Sequence, residues 1–375
     1  ARYGLYIADY GNDRVTSTAY DLYLQGSGIF PSGFRAIQTE NPNLKWETTI
    51  QYNAGIDFAL FRNELYGTAD IYLKKVKDML IQPAYLASLG EGGASWSNGP
   101  SLQNWGMEFT VGYRHTTSYG LGYNISGNLD FFRNRVTYLP ETTTGSYAHT
   151  TTENLVQAKV PYGSIVGYVV DGLYQNREEV LACGQENARV GGLKYADLNG
   201  DGRINADDQT WIFNPVPDFS WGLNVSLNYK DFDLSMFFQG VCGVDIYNNQ
   251  KFQTDFYSIT DAGSNKGNRM LQAWTQDNTS STIPALTTNN TGDEGRASTY
   301  YVEHGSWLKL RSLQIGYNMP SSLLKKVNMT SARFYVSGQN IFTLKSDGFT
   351  VSDPENPNWA YPHATSVSFG LQLGF

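Results

Sequence analysis

Apolar and polar residues alternate one for one along much of the chain, a period that puts each set on its own face of an extended strand. Trp221, Leu223, Val225, Leu227 and Tyr229 alternate with Gly222, Asn224, Ser226, Asn228 and Lys230. Trp105, Met107, Phe109, Val111 and Tyr113 alternate with Gly106, Glu108, Thr110, Gly112 and Arg114. Leu121, Tyr123, Ile125, Leu129 and Phe131 turn away from Asn124, Ser126, Asn128 and Asp130. Ile50, Tyr52, Ala54, Ile56, Phe58 and Leu60 make another such face. The last run sets Val367, Phe369, Leu371, Leu373 and Phe375 against Ser366, Ser368, Gly370, Gln372 and Gly374. Each run is about the ~9–11 residues that a tilted strand needs to cross a bilayer. Strands of soluble sandwiches average nearer ~5–6. Run length therefore predicts an all-β, transmembrane antiparallel β-barrel whose polar faces line a watery or plugged lumen.

Short and long connections alternate. Turns at residues 61–64, 117–120 and 230–232 separate long segments at 75–102, 135–218, 243–305 and 343–363. Outer-membrane barrels have this pattern, with tight periplasmic turns and large extracellular loops. With the C terminus in the periplasm, every long segment falls outside the cell. The longer turn from Met319 to Ser331 falls on the periplasmic side. About ten strands are expected, including a weak one near Arg2 to Ala8. Ten strands can close alone, but loops making up most of the chain are out of proportion to so narrow a barrel.

Composition changes this picture little. The 375 residues include 26 Tyr, 19 Phe and 38 Gly, and 14% are aromatic, as interfacial girdles require. Lys and Arg (27) against Asp and Glu (35) give a net charge of -8, which argues against a nucleic-acid partner. A mean hydropathy of -0.39 reads as soluble, but lumen-facing polar residues dilute the average of any barrel. No stretch approaches the ~20 apolar residues of a membrane helix. The start, Ala1 to Leu5, lacks a basic region followed by an apolar core, so a signal peptide is not expected there. Cys183 and Cys242 read as two incidental thiols, a bridge between loops being the alternative.

The sharpest chemical motif runs from Asp197 to Asp208, inside a calcium-binding-type loop at 191–212. Oxygen ligands stand at positions one, three and five, glycine at six and a carboxylate at twelve, the pattern of a Ca²⁺ loop. Asp197, Asn199, Asp201 and Asp208 would ligate by side chain and Arg203 by its carbonyl, with Ile204 anchoring the loop in an apolar pocket. The competing reading is an Asx-rich turn held by local hydrogen bonds. Asp57, Asp70, Glu108 and Asp130 offer carboxylates for acid–base chemistry, but lumen solvation explains them, and no enzyme is expected. His115, His149, His304 and His363 are scattered without metal-ligand spacing, and Gly90 to Gly93 is a loop tip without a following helix. Trp96, Trp211, Tyr247, Phe252, Phe256, Tyr257, Trp274 and Trp359 either stack on a ligand or pack the loops together. Asn268 to Trp274 reads as a short helix.

Several stretches resemble the SusC/RagA branch of TonB-linked outer-membrane proteins of Bacteroidota. Among them are Asn41-Pro42-Asn43-Leu44-Lys45-Trp46-Glu47, Leu65 to Tyr72 followed by Lys77 to Leu80, and Asn104-Trp105-Gly106-Met107-Glu108. Tyr195 to Gly202, Pro215 to Gly222, Phe237 to Gly240, Ala273 to Thr275, Tyr335 to Asn340 and Tyr361 to Phe375 follow in order. The resemblance implies the C-terminal part of a 22-stranded barrel, about the last 40% of such a protein, in the bacterial outer membrane. It implies import of an oligosaccharide or oligopeptide, with a SusD-like surface lipoprotein as lid and the TonB complex acting through an N-terminal plug. The rival function is an extracellular, calcium-stabilised β-sandwich adhesin or glycan-binding protein, whose apolar rows would pack into a water-soluble interior.

Overall fold

A computed structural model describes residues 19–23, 33–38, 41–81, 96–138, 161–256, 265–287, 294–357 and 361–375. Nine strands, numbered here in chain order, form one sheet. They are β1 (Thr48–Leu60), β2 (Leu65–Lys77), β3 (Ser101–Thr116), β4 (Leu121–Tyr138), β5 (Phe219–Tyr229), β6 (Phe232–Cys242), β7 (Trp307–Asn318), β8 (Ser331–Lys345) and β9 (Ser366–Gly374). Each is hydrogen-bonded to its sequence neighbours in an up-and-down meander. Strands of 9 to 18 residues are long enough to cross a bilayer. Among the described residues the sheet is open, with β1 and β9 at its edges. The strand expected near Arg2 to Ala8 lies outside the described residues.

Register separates the two faces. Tyr123, Leu227, Leu234, Ile315, Val336 and Phe369 are paired in turn across six strands. One position along, Asn124, Ser226, Ser235, Gln314, Ser337 and Ser368 are paired in the same way. A slip of one residue in any strand would break both rows, so the pattern itself specifies the pairing. The apolar rows are open: Val336 is 42% exposed, Ile315 50% and Phe369 81%. Among the described residues these rows meet no second sheet, which a sandwich would require. Large apolar side chains left uncovered on this scale belong against hydrocarbon.

One bulge keeps the faces sorted. Leu308 and Leu310 share a face with Leu313, Ile315 and Tyr317, although the count changes from even to odd. Arg311 is the extra residue, skipped between the pairs Leu310–Phe238 and Ser312–Phe237. On the other side Asn340 and Ile341 stand opposite it, with Asn340 at φ 50°. Such an insertion re-aims a side chain without disturbing the rest of the ladder.

The connections follow the expected alternation. Residues 61–64, 117–120 and 230–231 turn tightly, with Lys230 at φ 54° and Gly120 at φ 89°. The turn between β7 and β8 is longer and holds a short helix, Ser321–Leu324. The remaining connections are long, and the hydrophobic core lies there. Two compact units divide the chain: Ala54–Ile71, Gly106–Phe132 and Gly163–Phe375 form one, and Ala1–Asn53, Tyr72–Trp105 and Arg133–Tyr162 the other. In the first, ribbons pair residues 165–168 with 209–213, 170–173 with 193–195, and 245–247 with 302–304. Tyr168, Leu173, Leu193, Tyr195, Phe256, Trp274 and Tyr301 fill the centre of this loop body. In the second, Leu80–Ile81 pairs with Ser97–Asn98, and the Asn98 amide nitrogen donates to the carbonyls of Lys45 at 2.7 Å and Asp78 at 2.9 Å.

Val225→Arg, on an apolar row, should cost about 2–4 kcal/mol in urea unfolding from lipid vesicles, the range for a basic residue in mid-bilayer. Asn224→Arg, one position away, should cost far less. Equal costs would reject this assignment of faces.

Candidate functional site

The loop body is held together by aromatic packing and two networks of buried charge. Tyr301 is fully buried; Phe252 stacks on it with ring centres 4.1 Å apart, and Tyr300 meets it edge-on at 5.3 Å. Such pairs add about 0.5–1.5 kcal/mol each beyond area burial. Of the loop aromatics named from the sequence, Phe256 and Trp274 are buried, and Tyr247 and Phe252 pack against the core. Trp96 and Trp211 are half-buried, while Tyr257 and Trp359 lie outside the described residues. The expected short helix appears as a 3-10 helix, Asn268–Gln272.

Beneath Tyr300 lies the first network. The Lys251 ammonium is 2.9 Å from Glu303 and donates to the Tyr300 carbonyl at 2.8 Å. Arg269 is 3.4 Å from the fully buried Asp255, which also accepts from the Tyr300 hydroxyl at 2.6 Å. Burial lowers the Lys251 ammonium from its ordinary value against the pull of Glu303, and burial together with Asp255 pushes the Tyr300 hydroxyl up. Two cations and two anions balance, as buried charge requires. Above them opens a cavity of about 540 Å³ lined by Gln175, Lys251, Arg269, Ser281 and Tyr300 among others. Its hydroxyl, amide and cationic groups suit a polar ligand.

The second network ties the β8–β9 connection to β7. Lys309, 1% exposed, donates to Asp353 at 2.7 Å and to Glu355 at 2.5 Å. Arg311, aimed inward by the bulge, donates to Glu355 and to Gln239. His363 closes the strap: its backbone N–H donates to Asp353 at 2.9 Å and its Nδ1 lies 2.8 Å from the same oxygen. Burial opposes the Asp353 charge, yet the His363 amide, the Lys309 ammonium and the Glu355 amide hold its carboxyl well below the usual range. The sequence reading missed this cluster, treating His363 as isolated. Asp353, Glu355 and His363 gather ligand atoms within 4.8 Å of one another, but Lys309 and Arg311 already supply the positive charge. The available signal was two cations, Lys309 and Arg311, close together at the start of β7.

The Asp-rich segment curls around its own carboxylates. Asp197 accepts from the Gly200 and Gly202 amides at 2.6 and 2.8 Å, and these hold its carboxyl below the ordinary value. Gly200 and Gly202 turn the backbone at φ 76° and 77°, where other residues are strained. Asn199 accepts from the Asp201 amide at 2.9 Å, and Asp201 from the Arg203 amide at 2.8 Å. Asp208 is fully buried and accepts from the amides of Leu198 at 2.9 Å and Asn205 at 2.9 Å. Ile204 packs against the core cluster. The Asp197 and Asp208 carboxylates are thus met by backbone amides, with the side-chain oxygens of Asn199 and Asp201 in the same turn.

The remaining readings resolve simply. Cys183 and Cys242 are free thiols, so they do not bridge loops. Asp130 accepts from the Ser220 hydroxyl at 3.4 Å, and Asp70 lies over Gly55. Asp57 and Glu108 are exposed, while Gly90 to Gly93 and His149 lie outside the described residues.

Lys309→Ala strands the buried Asp353 and the half-buried Glu355 and should cost about 3–5 kcal/mol. Asp353 has a depressed folded pKa, so its contribution is present above the ordinary value of 3.8 and is lost as pH falls through the lower folded value. Thermal melts from pH 7 to 2 should therefore show Asp353→Asn closing its gap to the unmodified protein only below about pH 4. A gap constant across that range would contradict the pairing.

Comparison with known proteins agrees with this architecture. The family described as "TonB dependent receptor-like, beta-barrel" matches residues 8–241. TonB-dependent receptor P3 of Formosa agariphila is 32% identical over 363 residues, covering 89% of this chain and 35% of that protein. TonB-dependent receptor SusC of Bacteroides thetaiotaomicron is 27% identical over 351 residues, covering 89% of this chain and 32% of SusC. The RagAB peptide transporter superposes with a TM-score of 0.78 at 21% identity, over 97% of this chain and 39% of that one. The chain thus spans roughly a third of the length of the curated relatives it matches. An apolar belt, a polar wall and a packed loop body are the parts of an outer-membrane barrel, and this chain belongs to the TonB-dependent receptor β-barrel family.

Proposed function

We propose that the chain is part of the barrel of an outer-membrane importer for an oligosaccharide or oligopeptide. The observation that carries this reading is the polar row from Asn124 to Ser368 on a sheet whose long connections fold into a body with its own core. A wall of short hydroxyl and amide side chains lets a polar oligomer pass without tight binding, and the loop body offers polar groups for its capture. A SusD-like surface lipoprotein serves as lid, and the TonB complex supplies energy, so no catalytic residue is required. Similarity to SusC and to RagAB supports both partners. Deleting the gene should abolish uptake of one polymer class, and affinity purification of the intact protein should bring a surface lipoprotein with it. Unchanged uptake of labelled peptides and glycans alike would reject the reading.

In the same reading, Asp197, Asn199, Asp201, the Arg203 carbonyl and Asp208 hold a structural Ca²⁺. The ion would neutralise the carboxylates and stiffen an extracellular loop. Calorimetric titration with Ca²⁺ should show binding below about 1 mM, as in extracellular modules, and Asp201→Ala should weaken it at least tenfold. No binding at millimolar Ca²⁺ would leave an amide-stabilised turn.

A further inference from the structure

The cavity above Tyr300 offers hydrogen-bond donors and withholds acceptors. Two long connections build its wall, the β4–β5 connection through residues 170–175 and the β6–β7 connection through Lys251, Arg269, Thr299 and Tyr300. The acceptors there are taken. The Gln175 side-chain oxygen accepts from the Trp274 indole at 2.8 Å, and the Tyr300 carbonyl accepts from Lys251 at 2.8 Å. The Tyr300 hydroxyl accepts from Arg269 at 3.3 Å and gives its proton to Asp255 at 2.6 Å. Among the described residues no carboxylate lines the cavity, Asp255 and Glu303 being buried. The donors are not all taken. Arg269 lines the cavity with a side chain 24% exposed, yet its Nε and Nη1 have no hydrogen-bond partner among the described residues. The Thr299 hydroxyl accepts from the Val170 amide at 2.9 Å, which leaves its own proton to give. An unmet N–H is costly, so this wall is complete only when an acceptor enters.

We propose that this cavity binds a carboxylate of an oligopeptide, which rests on the importer reading above and narrows the imported class to acidic peptides. An ionised carboxylate only accepts hydrogen bonds, and those it takes from guanidinium and ammonium groups are charge-assisted. A neutral sugar hydroxyl would bring a further proton to a wall whose acceptors are occupied. Nor does the wall present a free aromatic face to a sugar ring. Lys251 lies 5.0 Å and Arg269 5.8 Å from the centre of the Tyr300 ring, and Phe256 meets that ring edge-on at 5.6 Å.

The intact protein, purified from outer membranes in detergent, would be titrated calorimetrically with tetraglutamate, tetraglutamine and tetragalacturonate. Tetraglutamate should bind at least tenfold more tightly than tetraglutamine, and Arg269→Gln should remove that preference. That change also leaves the buried Asp255 without its cation, so Thr299→Val serves as a milder second variant and should weaken tetraglutamate several-fold. Equal affinity of the two peptides for the unmodified protein, or binding of neither, would overturn the proposal whether or not the variants fold. A preference retained in full by Arg269→Gln would overturn it by placing the site elsewhere. Tighter binding of tetragalacturonate than of tetraglutamate would overturn it in favour of an acidic glycan. These titrations are independent of transport: unchanged uptake on gene deletion would reject the importer reading and leave the measured preference in place.

Discussion

Hydrocarbon offers a peptide group no hydrogen-bond partner, so a strand that crosses it must find every partner in its neighbours. Pairing through six strands meets this demand and settles everything else about the sheet. Once Leu227 is opposite Leu234 and Leu234 opposite Ile315, the serines one step away must also face one another. Backbone pairing and side-chain sorting are therefore one constraint. A register slip would expose serine and asparagine to lipid across a whole row, at a cost no local contact could offset.

The same constraint explains where the core is. In a water-soluble protein the longest alternating strands would carry the buried interior. Here their apolar rows are largely exposed, and the packed hydrophobic cluster comes from the connections. Those connections work in water and fold as water-soluble domains do, around aromatic side chains and balanced charge. Glu303 joins two of them. It pairs with Lys251 and accepts from the amide and hydroxyl of Thr350, linking the β6–β7 and β8–β9 connections. The strap at Lys309 roots the second of these in the sheet. The bulge at Arg311 gives the strap its second cation without turning the outer half of β7 inside out.

Membrane strands and turns were legible in the sequence because period-two alternation reports the two solvents directly. Trp221 to Tyr229 and Val367 to Phe375 read as strands with no knowledge of their neighbours. The strap was not legible in this way. Asp353 and Glu355 lie 44 and 46 residues from Lys309, and spacing along the chain carries no information about a contact made by loop return. The bulge was hidden for a related reason: Arg311 followed by Ser312 looks like a lapse in the pattern until the partner strand shows a residue skipped. Trp274 and Phe256 could have faced a ligand or the core, and hydrophobicity is the same in both cases.

What the sequence determined alone was the class of solvent on each face, the lengths of strands and turns, and the presence of an oxygen-rich loop. These follow from residue chemistry at fixed local spacing, which extended backbone converts into direction. Tertiary structure decided which charges meet, which aromatics are buried, and how the long connections share one core. Those outcomes depend on loop closure over tens of residues, where many pairings are possible and only packing and charge balance select among them.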